Sequence, residues 1–246
     1  MPFPKRIISL VPSITELLFH LELDKEIIGI TKFCIHPPEK IKNYTKIGGT
    51  KNPDIDKIIS LKPDLIIASK EENNKVDIDA LSQYSPILLT NVSSYQEALE
   101  MILQVGTRCQ RINEAQKLCT QIEKKKSIYQ AKKTIPCIYM IWYNPWMTVG
   151  NDTFIADMLA LAGMPSVINQ KRYPSISIDE LKDLKPSHIL LSSEPFPFKE
   201  KHKVELQTIL PDSKIVLVDG EMFSWYGSKM LESFDYFSSL HEKLAL

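Results

Sequence analysis

The chain has no surplus charge: among its 246 residues, 30 Lys and Arg balance 30 Asp and Glu. A nucleic-acid or polyanion partner would call for a basic excess, so none is indicated. No apolar run is long enough to cross a bilayer, and Met1–Arg6 leads straight into a strand-like IISLV without a signal-peptide core. Cysteine is sparse. Cys34, Cys109, Cys119 and Cys137 are widely spaced with no CxxC, which excludes a zinc ribbon or redox dithiol and leaves buried free thiols as the expectation. Catalytic signatures are missing too: there is no GxGxxG after a strand, no GxxxxGK[ST], no HExxH and no GxSxG. Arginine is confined to Arg6, Arg108, Arg111 and Arg172.

What is present is an ordinary globular balance, 43% hydrophobic and 24% charged, in a chain of a length that suits two lobes of about 110 residues each. The clearest internal signal is a repeat. Ile55–Glu71 (IDKIISLKPDLIIASKE) recurs at Ile178–Glu194 (IDELKDLKPSHILLSSE) at a constant offset of 123, with eight identities in seventeen positions. Each copy reads as a short amphipathic helix, an LKP corner that ends it, and a short apolar run suited to a buried parallel strand.

The remaining chain fits two such halves. Arg6–Val11 is a strand candidate closed by Pro12, with Ser13 and Glu16 spaced as a capping box for a helix to Leu21. Strands are expected at Ile27–Ile30, Pro86–Thr90, Ile138–Trp142 and Ile215–Val218. Helices are expected after Ser94, ending at Gly106, from Thr153 to Ala162, and from Ser228 to Leu244. Asn113–Ala131 lacks Gly and Pro and keeps apolar or long-stemmed positions at steps of three and four, a rod of about 28 Å. The expected division is therefore an N-terminal α/β lobe at 1–110, a connecting helix at 111–133 and a C-terminal α/β lobe at 134–246. Each lobe should hold a parallel sheet with right-handed crossovers.

Ligands of parallel sheets collect beyond the carboxyl ends of the strands. Loops on that rim are FCIHPP (from Phe33), WYNPWM (Trp142–Met147), Arg172-Tyr173-Pro174 and FSWYG (Phe223–Gly227), together with the repeat ends Ser69–Glu71 and Ser192–Glu194. All three tryptophans, Trp142, Trp146 and Trp225, lie in these loops. Such rings serve either to pack a lobe interface or to line a cleft for a large flat molecule. Cys34 and His36 alone do not make a metal site, and His36 is placed instead as an axial or hydrogen-bonding contact to a ligand. His20, His188, His202 and His241 read as partly exposed, and Lys199–Lys203 as a solvated face. Asp56 and Asp179 share one position in the two repeats. Each begins a helix, where the dipole favours a carboxylate, and a pseudo-symmetric pair of acids would equally suit a symmetric basic partner.

RIISLVPSITELL at Arg6–Leu18, the glycine pair and LKPDLII block at Gly48–Ile67, YNPWMTVGNDT at Tyr143–Thr153 and the second LKP block together resemble one family. It is the helical-backbone class of substrate-binding proteins of ABC importers for cobalamin and ferric siderophores, with the cobalamin branch most similar. The resemblance covers Arg6 to about Leu240. It implies two Rossmann-like, chelatase-like lobes bridged by one long helix, and a non-enzymatic, monomeric receptor with no cofactor of its own. A corrinoid or ferric chelate would be held between the lobes and delivered to a membrane permease. The branch's cleft aromatics fall on His36, Thr50, Ser69, Ile141, Met147 and Tyr173, only one of which is aromatic here, while Trp142, Tyr143 and Trp146 stand beside them. The expected ligand contacts are Phe33, His36, Thr50, Ser69, Trp142, Tyr143, Trp146, Met147, Arg172, Tyr173 and Trp225. The family's permease-docking glutamates fall on Asp56 and Asp179. The resemblance further implies a periplasmic or other extracytoplasmic location and a leader outside this sequence. A ferric siderophore or haem ligand is the alternative within the class, and a cytosolic metallocofactor-processing protein the alternative outside it. The shortage of arginine favours cobalamin over an anionic siderophore.

Overall fold

The computed structural model describes residues 3–245. The chain divides into two compact units. One comprises the chain up to Val92, Gln96–Lys124 and Tyr226–Leu231; the other comprises Ser93–Tyr95, Lys125–Trp225 and the chain from Glu232.

In the first unit β1 (Ile7–Ser9), β2 (Ile27–Ile30), β3 (Leu65–Ser69) and β4 (Ile87–Thr90) form a parallel sheet in the order β2-β1-β3-β4. Helix α1 (Pro12–His20) follows β1, while α2 (Ile55–Ser60) and α3 (Lys75–Ser82) flank β3. After α4 (Tyr95–Arg108) and α5 (Ile112–Ile128), the second unit begins its sheet with β5 (Cys137–Trp142) and β6 (Met147–Thr148). It continues through α6 (Phe154–Leu161), α7 (Ile178–Leu184), β7 (His188–Ser192), α8 (Glu200–Ile209), β8 (Lys214–Val218), α9 (Glu221–Ser224) and α10 (Met230–Ala245). Its order is β6-β5-β7-β8, the same pattern as the first. One difference corrects the all-parallel expectation: β6 runs antiparallel to β5, because WYNPWM is too short to carry a crossover and closes as a tight hairpin.

The repeat predicts the centre of each sheet. Adding 123 to the ends of β3, 65 and 69, gives those of β7, 188 and 192. Every residue of β3 is buried, as a strand paired on both edges and covered on both faces requires. The LKP corners have one geometry: Lys62 and Lys185 sit at φ 48° and 45°. A following proline disfavours the helical region for its predecessor, and a left-handed residue terminates the helix.

Three expectations are corrected. Pro12, not Ser13, opens α1, because proline is preorganised for the first helical position. Val11 is the N-cap, and no side chain caps it. Glu16 pairs with Lys229, at 3.5 Å, on nearly buried side chains. Gly106 does not end α4, which continues to Arg108; it admits α5, since a Cβ there would lie 2.4 Å from the Ala115 Cβ and 3.0 Å from the Arg111 carbonyl. The charged run at Lys199–Lys203 opens α8 with Lys199, Glu200 and Lys201 exposed, as a solvated face requires, while the inner side of the helix carries His202 and Leu206. His202 and His241 are buried rather than partly exposed; Nδ1 of His202 accepts the Lys199 N–H, and Nε2 of His241 lies 2.7 Å from the Ala162 carbonyl.

Gly106→Ala should therefore lower the urea midpoint despite alanine's better helix propensity, by roughly 1–3 kcal/mol of overpacking. A variant as stable as the parent would show that α4 and α5 have room to separate.

Candidate functional site

The carboxyl edge of each sheet is built by the same local device. Ser69 Oγ accepts the Glu71 N–H and Ser192 Oγ accepts the Glu194 N–H, each at 3.2 Å, so the repeated Ser-x-Glu is a serine turn that redirects the chain after the central strand. Both serines are buried, so Ser69 shapes the rim and offers no exposed hydroxyl.

In the first unit the sequence reading missed Asn73. Its buried amide accepts the Ser69 N–H at 2.8 Å and donates to the carbonyls of Leu10 and Thr50 at 3.2 and 2.9 Å. One side chain thus ties the ends of β1 and β3 to the Gly49–Lys51 loop and fixes Thr50. Phe33 is 51% exposed, with the Lys32 ammonium 5.1 Å from its ring centroid. Gly49 leaves it space: a Cβ there would stand 3.1 Å from the Phe33 ring. His36 is half-buried in the same loop. Cys34 is buried with its sulfur 3.2 and 3.3 Å from the Thr15 and Thr31 hydroxyls.

In the second unit the rim is aromatic. Trp142 ends β5 and is 41% exposed; Tyr143, Trp146 and Met147 follow, half-buried. The chain beyond β7 brings Phe196 and Phe198 to these rings, and α8 brings His202, none of which the sequence reading placed here. Trp146 stacks on Phe198 at 5.8 Å and 5° between planes, and Tyr143 meets Trp146 edge-on at 4.9 Å. Trp142 and Tyr143 each lie 5.7 Å from Phe196, and Tyr143 lies 5.0 Å from His202. Phe198 and His202 are buried, so they back the cluster while Trp142 presents the open ring. Desolvation lowers the His202 pKa below its ordinary value.

Arg172 and Tyr173 are strapped to the same hairpin. The Gly150 N–H donates to Arg172 O at 2.6 Å, Thr148 N–H to Pro174 O at 3.0 Å, and Ile176 N–H to Trp146 O at 2.9 Å. The Arg172 guanidinium lies 5.5 Å from the Tyr173 ring centroid. Trp142, Tyr143, Trp146, Met147, Arg172 and Tyr173 are thereby gathered on one edge of one sheet. Trp225 is 7% exposed and follows α9.

Asp56 and Asp179 are the second residues of α2 and α7, and both are exposed. Neither is the cap. Asp54 accepts the Lys57 N–H at 3.1 Å, and Ser177 caps α7 with Glu180 returning to the Ser177 N–H at 2.7 Å. As first-turn carboxylates they contribute about 0.3–1 kcal/mol each through the helix dipole. Asp179 lies 4.0 Å from Lys182 with its side chain 93% exposed.

Each α/β unit thus carries its rings or fixed polar loops beyond the carboxyl ends of its strands, the edge at which parallel sheets take small-molecule ligands. The sequence profile of the Periplasmic binding protein family matches residues 7–212, and the chain belongs to that family. It is 21% identical over 241 residues to the vitamin B12-binding protein of Pectobacterium atrosepticum, spanning 93% of this chain and 85% of that one. Two solved structures share its fold. The periplasmic vitamin B12-binding protein BtuF of Vibrio cholerae superposes with TM-score 0.82 at 20% identity over 99% of both chains. The periplasmic haem-binding protein RhuT of Roseiflexus sp. RS-1 gives 0.81 at 19% identity over 98% of this chain and 97% of that one.

All four thiols are free and buried, and burial pushes them up, Cys109 and Cys137 to about 12 and Cys119 to about 11. Cys34 is raised for the same reason. At about pH 8 the thiolate fraction is small, so Ellman's reagent should label the native protein slowly and all four sulfurs after unfolding. Rapid stoichiometric labelling of the native state would contradict this burial.

Proposed function

We propose that this protein is the substrate-binding component of an ABC importer, that it binds a corrinoid, and that it delivers this ligand to a membrane permease from outside the cytoplasmic membrane. The observation that carries the ligand class is the ring cluster on the second sheet's carboxyl edge: Trp142, Tyr143, Trp146 and Tyr173 on one hairpin and its strap, with Met147 beside them and Arg172 as its arginine. Wide ring faces with little cationic charge suit a large flat molecule of low negative charge better than a multiply anionic ferric chelate. The B12-binding relative points to the same ligand. Phe33, His36 and Thr50 are further ligand contacts in this reading, and Trp225 a further ring. The protein works as a monomer and holds no cofactor of its own.

Isothermal titration should show tight binding of cyanocobalamin and weak or no binding of haem, a ferric hydroxamate and a ferric catecholate. Trp142→Ala and Tyr173→Ala should each weaken binding by about 1–3 kcal/mol. Tight binding of haem or a siderophore with none of cobalamin would replace the ligand, and unchanged affinity in both variants would return the rings to a packing role.

Asp56 and Asp179 serve permease docking in this proposal, as exposed acids at one position of both repeats that another residue relieves of capping. The double variant Asp56→Arg with Asp179→Arg should abolish transport in reconstituted vesicles while ligand affinity stays at the parent value. Transport at the normal rate would remove the docking role.

A further inference from the structure

We propose that Glu194 is a positioning residue: its carboxylate sets the orientation of Trp225 and of the α9 segment, and so couples ligand affinity to the charge of one acid. The link to affinity rests on the placement of Trp225 in the ligand site; the link to Trp225 itself does not.

The main chain at Glu194 is clamped. Ser192 Oγ accepts the Glu194 N–H at 3.2 Å and donates to its carbonyl at 2.6 Å, and the Tyr139 hydroxyl donates to the same Ser192 oxygen at 2.9 Å. From the other side the Gly220 N–H donates to Ser193 Oγ at 2.9 Å. Gly220 has no room for a side chain, since a Cβ would lie 2.3 Å from Ser192 Oγ and 2.7 Å from Glu194 Cγ. Within this close approach the Glu194 carboxylate accepts from the Ser224 hydroxyl and from the Trp225 indole. The two donors are consecutive residues at the end of α9, so one acid fixes both the helix end and the ring beyond it.

The charged groups that act on Glu194 are Glu221, on α9, and Asp219, just before it; Tyr139 faces it from β5, and Tyr236 of α10 accepts the Asp219 N–H at 2.8 Å. Burial, chiefly, and then these two acids raise the Glu194 pKa, while the bonds from Ser224 and Trp225 oppose the rise. A carboxyl raised in the folded state adds stability below its unfolded value, and that contribution is lost as pH rises through the folded value. Ionised Glu194 is therefore a stability cost at neutral pH. Acidification converts the acceptor to a neutral acid and loosens Trp225.

Two measurements test this. With Trp142→Phe and Trp146→Phe, Trp225 is the sole tryptophan; its emission should shift in one step on acidification from about pH 8, above the ordinary carboxyl value of 4.5. Adding Glu194→Gln should abolish the step. In the protein with all three tryptophans, cyanocobalamin affinity should fall over the same window by about tenfold, the scale of one hydrogen bond to a charged group. Glu194→Gln should bind weakly without pH dependence while melting no lower than the parent at about pH 8. An unchanged emission step in Glu194→Gln, or none in the parent, overturns the proposal, as does a lowered melting temperature with unaltered emission. If the parent binds no cobalamin, the corrinoid reading fails, and the emission titration still decides the role of Glu194.

Discussion

The hydrogen bonding of one central parallel strand in each unit is the constraint on which the rest depends. β3 and β7 are each paired on both edges with parallel neighbours, so the chain must leave and return through crossovers. A crossover helix runs back against its strands, so its N-terminus lies toward their carboxyl ends. The strand-end serine turn and the first-turn aspartate of the preceding helix are therefore placed toward the same edge of each sheet. The repeated segment thus carries a direction as well as a fold: its apolar run builds the centre, and its two polar ends lie toward one side.

From that shared frame the two rims diverge in chemistry. In the first unit a buried amide, Asn73, holds three backbone groups and keeps the Thr50 loop in place without presenting itself to solvent. In the second the corresponding space is taken by rings that support one another, with Phe198 and His202 behind and Trp142 outermost. Stacked and edge-to-face rings hold their geometry with little rotamer entropy to lose, which suits a rigid contact surface. The first rim is held by buried hydrogen bonds, and the second is suited to flat apolar contact.

Polar groups in this protein are spent on geometry more often than on net attraction. Asp54 and Ser177 cap helices, Ser69 and Ser192 turn strands, and Glu194 gathers the end of α9. The exposed ion pairs add little by comparison, since solvent screens them and each orders two long side chains. The less common case is the pair of Lys229 with Glu16, both nearly buried, where losing either partner would strand a charge.

The sequence by itself determined the doubled α/β plan, the buried strand inside each repeat and the LKP corner that ends the helix before it. It also marked the hairpin that carries Trp142, Tyr143, Trp146 and Met147. These are written in periodicity, in proline and serine chemistry and in an internal repeat, all of which act over a few residues. Only the tertiary structure decided what meets across the chain. Asn73 and Leu10 are 63 residues apart, and nothing local in either announces the bond. Phe196, Phe198 and His202 join the ring cluster because β7 pairs beside β5, and Gly106 admits α5 rather than ending α4. The burial of His241 against the Ala162 carbonyl has the same origin. Local patterns fix conformation, whereas the partner of a side chain depends on which distant segments the sheets and helices bring into contact.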